Sequence, residues 1–134
     1  MLNGIRIVEV EGLGPGPFAA MLLADLGADV ICVHRKGGSV TPGMPEKSIL
    51  DRGKRSIELN LKDANDVKTF KSLVDTADGL IEGFRPGVME KLGLGPDICR
   101  ALNPTLVFGR MTGWGQDSAL SHTSGHDLNY ISLS

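Results

Sequence analysis

The stretch Ser124-Gly125-His126-Asp127-Leu128-Asn129-Tyr130 is where residue type and spacing point most directly to chemistry. Ser124 and Gly125 break the preceding loop, and the apolar positions Leu128, Ile131 and Leu133 resume a helical spacing. Asp127 stands where that helix begins. His126 is therefore placed at a helix N-terminus, where free backbone N–H groups point outward. A neutral imidazole there accepts a proton near neutral pH, and the N–H groups beside it can hold a developing oxyanion. A base next to oxyanion donors is what removing a proton alpha to a carbonyl requires. The plainer alternative makes Asp127 a helix cap and His126 a surface residue.

Two further stretches suggest a ligand. Gly12-Leu13-Gly14-Pro15-Gly16-Pro17 follows a strand-like run and opens a helix, and a phosphate-bearing ligand suits such a helix start. As a dinucleotide fingerprint it is weak, because Pro17 takes the last glycine position and His34-Arg35 stands where an acid would meet the ribose. Between Arg35 and Lys62 lie seven of the fourteen basic residues: Arg35, Lys36, Lys47, Arg52, Lys54, Arg55 and Lys62. Gly37, Gly38, Pro42, Gly43 and Pro45 predict a long loop over Lys36–Ile49. A basic loop beside a helix N-terminus suits a polyanionic small molecule; the bland alternative is a solvated charged loop.

The elements that must position these residues alternate. Ile5–Val10 predicts a strand, Phe18–Leu26 a helix with Pro17 near its first position and Gly27 past its end, and Val30–Val33 a buried strand. That helix is apolar nearly all round and is expected to be buried against a sheet. Ser56–Leu61 alternates as a strand, and Asp63 caps the next helix with Asp66 as a capping-box variant. Val67, Phe70, Leu73, Val74 and Ala77 form its apolar stripe. Gly79–Glu82 predicts a strand, Met89–Leu92 and Pro96–Leu102 short helices, and Leu106–Arg110 a last strand. The expected fold is α/β: a Rossmann-like open, mostly parallel sheet flanked by helices. Ligands then bind beyond the carboxyl ends of the strands, so Arg35, Gly83-Phe84-Arg85 and Met111-Thr112-Gly113 are expected to share one rim.

Composition narrows the partners. With 134 residues, 41% of them hydrophobic and 22% charged, the chain has the make-up of one globular domain, 1–134. A net charge of −2 gives no global reason for nucleic acid or membrane binding. Cys32 and Cys99 make neither a metal pair nor a disulfide framework, which favours a reducing compartment, the cytoplasm. No apolar run reaches the length of a membrane span. The chain stops at Ser134 while an apolar segment is under way, which reads as a fragment.

Taken together the motifs resemble those of the family III CoA-transferase fold, in its α-methylacyl-CoA racemase branch. The resemblance covers essentially the whole chain. It is carried by Gly14-Pro15-Gly16-Pro17, Ala24-Asp25-Leu26-Gly27-Ala28-Asp29-Val30, Arg52-Gly53-Lys54-Arg55-Ser56, Gly83-Phe84-Arg85-Pro86-Gly87-Val88, Lys91-Leu92-Gly93-Leu94-Gly95-Pro96 and Gly113-Trp114-Gly115-Gln116. Gly125-His126-Asp127-Leu128-Asn129-Tyr130 points to the racemases within it.

The resemblance implies racemisation at C2 of 2-methylacyl-CoA thioesters, with His126 as one of two bases and the Asp127 N–H on the enolate oxygen. It implies contacts to the CoA nucleotide and pantetheine from Arg35, Leu59, Asn60, Leu61, Lys62, Gly83, Phe84, Arg85 and Lys91. Lysine at position 91 offers charge without a planar fork, so it does not make the bidentate phosphate contact of an arginine. Gly125, Leu128, Asn129 and Tyr130 would hold the thioester end. No metal or redox cofactor is implied, since coenzyme A enters as part of the substrate. The resemblance also implies an interlocked homodimer, a second base about thirty residues beyond His126, and truncation before a small domain. Alternatives are a CoA transferase of the same fold and a non-catalytic fragment that binds acyl-CoA or a partner chain.

Overall fold

A computed structural model describes residues 1–38 and 48–133 of the chain. The centre of the predicted long loop, with Pro42, Gly43, Pro45 and Lys47, lies outside the described residues.

The sheet is built from β1 (Arg6–Val10), β2 (Asp29–Arg35), β3 (Arg55–Leu59), β4 (Gly79–Glu82) and β5 (Val107–Arg110). Their order is β3-β2-β1-β4-β5, and every neighbouring pair is parallel. The helices are α1 (Pro15–Asp25), α2 (Ala64–Asp75), α3 (Val88–Lys91), α4 (Pro96–Leu102) and α5 (Asp127–Ile131). A single 3₁₀ turn, Ile49–Asp51, precedes β3. The α/β expectation thus holds, and the sheet is parallel throughout.

Alternation along β1 divides the core. Val8 and Val10 face the side covered by α2, α3 and α4, where they meet Phe70, Val74, Leu80, Met89 and Leu94. Ile7 faces the α1 side with Ala20, Ala28 and Val30. The α2 stripe behaves as its spacing predicts, for Phe70 and Val74 are fully buried. Asp63 caps this helix by accepting from the Asn65 and Asp66 N–H groups at 2.9 and 3.2 Å. Asp66 does not close a capping box: its carboxylate instead accepts the Asn60 N–H at 2.8 Å, holding the turn after β3. Asn103 ends α4 and donates to Val74 O and Ala77 O at 3.0 and 2.7 Å, joining α4 to the end of α2.

Two expectations about α1 are corrected. The helix begins at Pro15 rather than Phe18, because the first-turn N–H groups have no intrahelical partner and prolines there forfeit nothing. Nor is it buried all round. Ala20 and Met21 face the sheet, while Phe18, Leu22 and Leu26 stay between 42 and 50% exposed. One layer of helix has one inner face, and nothing among the described residues fully covers the other. Strand limits also shift: β2 runs on to Arg35, and β3 ends at Leu59, leaving Asn60–Lys62 in a turn.

Candidate active site

Strand order reverses between β1 and β4, so the loops leaving these strands part company there and open a crevice. A cleft of about 880 Å³ fills it. Leu13, Gly14 and Pro15 line it after β1, Gly83–Pro86 after β4, and Met111–Trp114 after β5. Ser121, Thr123 and the run Ser124–Asp127 with Tyr130 close its outer side. The structure thus brings His126, Asp127, Gly83, Phe84, Arg85, Gly125 and Tyr130 to one cavity.

His126 takes the position just before α5, with extended backbone. Its N–H donates to Asn129 Oδ1 at 2.9 Å, and its carbonyl accepts the Asn129 N–H at 2.9 Å. Asn129 therefore fixes the turn that presents His126 instead of lining the cleft. His126 and Asp127 are both exposed. Leu128 lies on the outer surface of α5, 81% exposed.

Tyr130 folds back across this turn. Its ring lies 5.1 Å from that of Trp114 at an interplanar angle of 57°, a tilted aromatic pair. The pair depends on two glycines. A Cβ on Gly113 would overlap the Tyr130 hydroxyl, and one on Gly125 would fall 2.7 Å from that oxygen and 2.9 Å from the Trp114 ring. Spacing along the chain did not reveal this contact, because it is made between segments; the only sequence signal was glycine beside aromatics.

The other expected CoA contacts lie along the same carboxyl edge but outside the cleft lining. Arg35 ends β2, its N–H donating to Glu11 Oε2 at 3.0 Å while Glu11 Oε1 sits 3.1 Å from His34 Nδ1. The Leu59 side chain belongs to the core, and its carbonyl accepts the Lys36 N–H at 3.2 Å. Asn60 and Lys62 are exposed in the following turn, with Leu61 half-buried between them. Lys91 ends α3, exposed. Met111-Thr112-Gly113 does share a rim with Gly83-Phe84-Arg85, whereas Arg35 is separated from β4 by β1.

Charge is distributed unevenly. Among the described residues Arg35, Lys62, Arg85 and Lys91 carry no ion pair, as do Lys68, Lys71 and Arg100 on the helices. Other members of the basic run are neutralised: Arg52 meets Asp25, Arg55 meets Asp29, and Lys54 is buried against Glu9. Arg55, followed by Arg6, holds the Asp29 carboxyl below its usual range. These paired cations, with Cys32, His34, Ser48, Asp51 and Ser56, surround a second hollow of about 530 Å³ between β2 and the turn that precedes β3. Burial pushes the Cys32 thiol up, assisted by the Glu9 charge, so it offers no thiolate there. Among the described residues no three His, Cys, Asp or Glu side chains are grouped to hold a metal.

Glu82, Arg110 and Gln116 emerged only with the structure. Glu82 follows Leu80 by two positions in β4 and so shares its buried face, which is a signal the alternation carries. Burial pushes its carboxyl above the usual range, against the opposing influence of the Phe84 N–H and then Arg110.

Residues 2–134 match the family model described as CoA-transferase family III. The chain is 46% identical over 134 residues to the alpha-methylacyl-CoA racemase of Mus musculus, covering 100% of this chain and 34% of that protein. It is 38% identical over 127 residues to the succinyl-CoA:mesaconate CoA-transferase of Haloarcula marismortui, covering 85% of this chain and 32% of that protein. The crystal structure of a CAIB/BAIF family protein from Brucella suis superposes with a TM-score of 0.90 at 30% identity, over 98% of this chain and 38% of that one. The chain thus spans about a third of the length of the curated relatives it matches.

Proposed function

The chain belongs to CoA-transferase family III, and from that membership we propose that it serves an enzyme inverting C2 of 2-methylacyl-CoA thioesters. One observation carries this reading: His126, at the start of α5, lines the switch-point cleft together with Gly83-Phe84-Arg85. In this mechanism His126 removes or returns the C2 proton on one face. The C–H electron pair moves into the C1–C2 bond, the thioester oxygen takes the charge, and the Asp127 N–H stabilises that enolate. Reprotonation from the opposite face inverts the centre. The thioester itself acidifies the proton, so the step draws on no metal or redox group.

Arg35, Lys62, Arg85 and Lys91 hold the CoA phosphates in this reading, and their lack of carboxylate partners among the described residues supports it. The base on the opposite face we assign to a carboxylate of the whole protein outside these 134 residues, which acts as a cytoplasmic homodimer. No helix among the described residues is long and apolar enough to cross a membrane.

The test is NMR of C2 exchange in D₂O with a 2-methylacyl-CoA, on the whole protein and its His126→Ala variant. Racemisation is expected to vanish with CoA affinity nearly unchanged, the acid–base contribution alone being about 10²–10⁴-fold. Full activity in His126→Ala overturns the assignment. CoA transfer is the second reading, favoured by the transferase relatives and by Asp127 on the cleft wall. It needs a carboxylate that forms an acyl anhydride with the thioester. Formation of a new thioester from succinyl-CoA and a free acid, without C2 exchange, selects it. Binding of acyl-CoA with neither reaction selects a non-catalytic acyl-CoA-binding role.

A further inference from the structure

Glu82 and Arg110 end β4 and β5 and are register partners in the parallel sheet. Glu82 is 3% exposed. One of its carboxylate oxygens accepts the Phe84 N–H at 2.7 Å, and the other lies 3.6 Å from Arg110 Nε. The rest of the guanidinium reaches outward: Nη1 donates to Gln116 Oε1 at 2.6 Å, and Nη2 pairs with Glu90 on α3. Its central carbon lies 5.6 Å from the centroid of the Phe108 ring. The segments lining this half of the cleft thus converge on the Glu82–Arg110 ion pair, one held by the Glu82 carboxylate and the other by the Arg110 guanidinium. Gly83–Pro86 leaves from Glu82 and is tied through the Phe84 N–H. Met111–Trp114 runs between Arg110 and Gln116. Arg110 itself is not part of the cleft lining, and two carboxylates offset its charge.

We propose that Arg110 is a positioning residue that fixes the spacing of the β4 and β5 loops, and through them the fit of the cleft to the CoA portion of the substrate. The ligand side of this inference rests on the acyl-CoA reading; the structural side does not. Its shape is what matters, because a planar guanidinium presents donors at fixed angles to several acceptors at once, and an ammonium cannot hold the same fork.

Trp114 is the only tryptophan in the chain and sits inside the anchored loop, so its emission reports that loop directly. The experiment compares Arg110→Lys, Arg110→Gln and Gln116→Ala with the unaltered 134-residue chain, by tryptophan emission, CoA calorimetry and thermal melting. Both Arg110 variants are expected to shift emission to longer wavelength and to weaken CoA binding about tenfold, the size of one lost charge-assisted hydrogen bond. Gln116→Ala, which touches only the outer end of the fork, gives the same direction of shift with melting unchanged. If Arg110 merely attracted phosphate, Arg110→Lys would keep affinity and emission, and that result overturns the proposal. So does unaltered emission in Gln116→Ala, which decides the matter even where an Arg110 variant fails to fold. A wild-type chain that binds no CoA, with the emission shifts still present in the variants, sinks the acyl-CoA reading and leaves the anchoring role standing. CoA binding that survives every variant unchanged does the reverse.

Discussion

Lys54 shows how far a single residue can depart from what its neighbours in sequence suggest. It lies in a basic run that reads as a solvated or ligand-binding loop. Its side chain is instead 2% exposed, with Nζ 2.6 Å from Glu9 Oε2 and 3.1 Å from the Pro17 carbonyl. It therefore ties the segment before β3 to β1 and to the first turn of α1. Glu9 was legible as an inward position from the alternation of β1, but its partner lies 45 residues away and no local pattern names it. Burial is the larger influence on Glu9 and pushes its carboxyl up, with Lys54 opposing. A carboxyl raised in the folded state gives stability that is full below the ordinary carboxylate range and is lost as pH rises through the folded value. Removing the ammonium must raise it further. Lys54→Met is thus expected to destabilise by about 3–5 kcal/mol at neutral pH, the cost of one uncompensated buried charge. The loss should shrink as pH falls through the raised Glu9 range toward the ordinary carboxylate range. Urea unfolding across pH measures it, and the Glu9→Leu/Lys54→Met double variant should recover most of the loss. A double variant as unstable as the single one would refute the ion-pair account.

Among the elements, α2 and α5 mark the limits of what the sequence discloses. The start of α2 follows from Asp63 and its packing from a stripe at helical spacing, both local signals that the core then uses unchanged. The position of α5 was equally legible, since Asp127 and the spacing of Leu128 and Ile131 are local too. What holds α5 is not local. None of its residues is buried, and one attachment is Tyr130, which crosses Gly113 and Gly125 to reach Trp114. Absence of two side chains makes that contact, and an absence has no periodicity to detect. The geometry predicts that Gly125→Ala pushes the ends of Tyr130 and Trp114 aside without disturbing the sheet. The variant should therefore keep its melting temperature within a few degrees while Trp114 emission changes, a loss of about 1 kcal/mol or less at an exposed aromatic pair. A cooperative loss of the whole fold in Gly125→Ala would show that α5 supports the core, contrary to its exposure.

Across the whole molecule, the strand order decides how far apart the binding residues stand. Arg35 ends β2 and Lys62 follows β3, whereas Arg85 and Lys91 follow β4, and β1 lies between the two groups. From β3 to β4 is three strand spacings, about 14 Å. Chain order alone suggested a single rim; the sheet turns it into an edge with cations unpaired among the described residues in both groups, and with the His126 cleft beside the second. An extended ligand with anionic groups spread along its length and its reactive carbonyl at the cleft end matches that layout, and a compact anion does not. The expectation is that CoA binds more tightly than dephospho-CoA in calorimetry, because the additional phosphate meets one more exposed cation. Affinity for both should fall as salt rises, since exposed charges are screened beyond a Debye length of about 10 Å at 0.1 M. Arg85→Gln, at the cleft itself, should weaken the two ligands by the same factor, whereas Lys62→Gln, at the far end, should narrow the gap between them. Equal affinity for CoA and dephospho-CoA, unmoved by salt, would mean that the carboxyl edge does not carry the nucleotide.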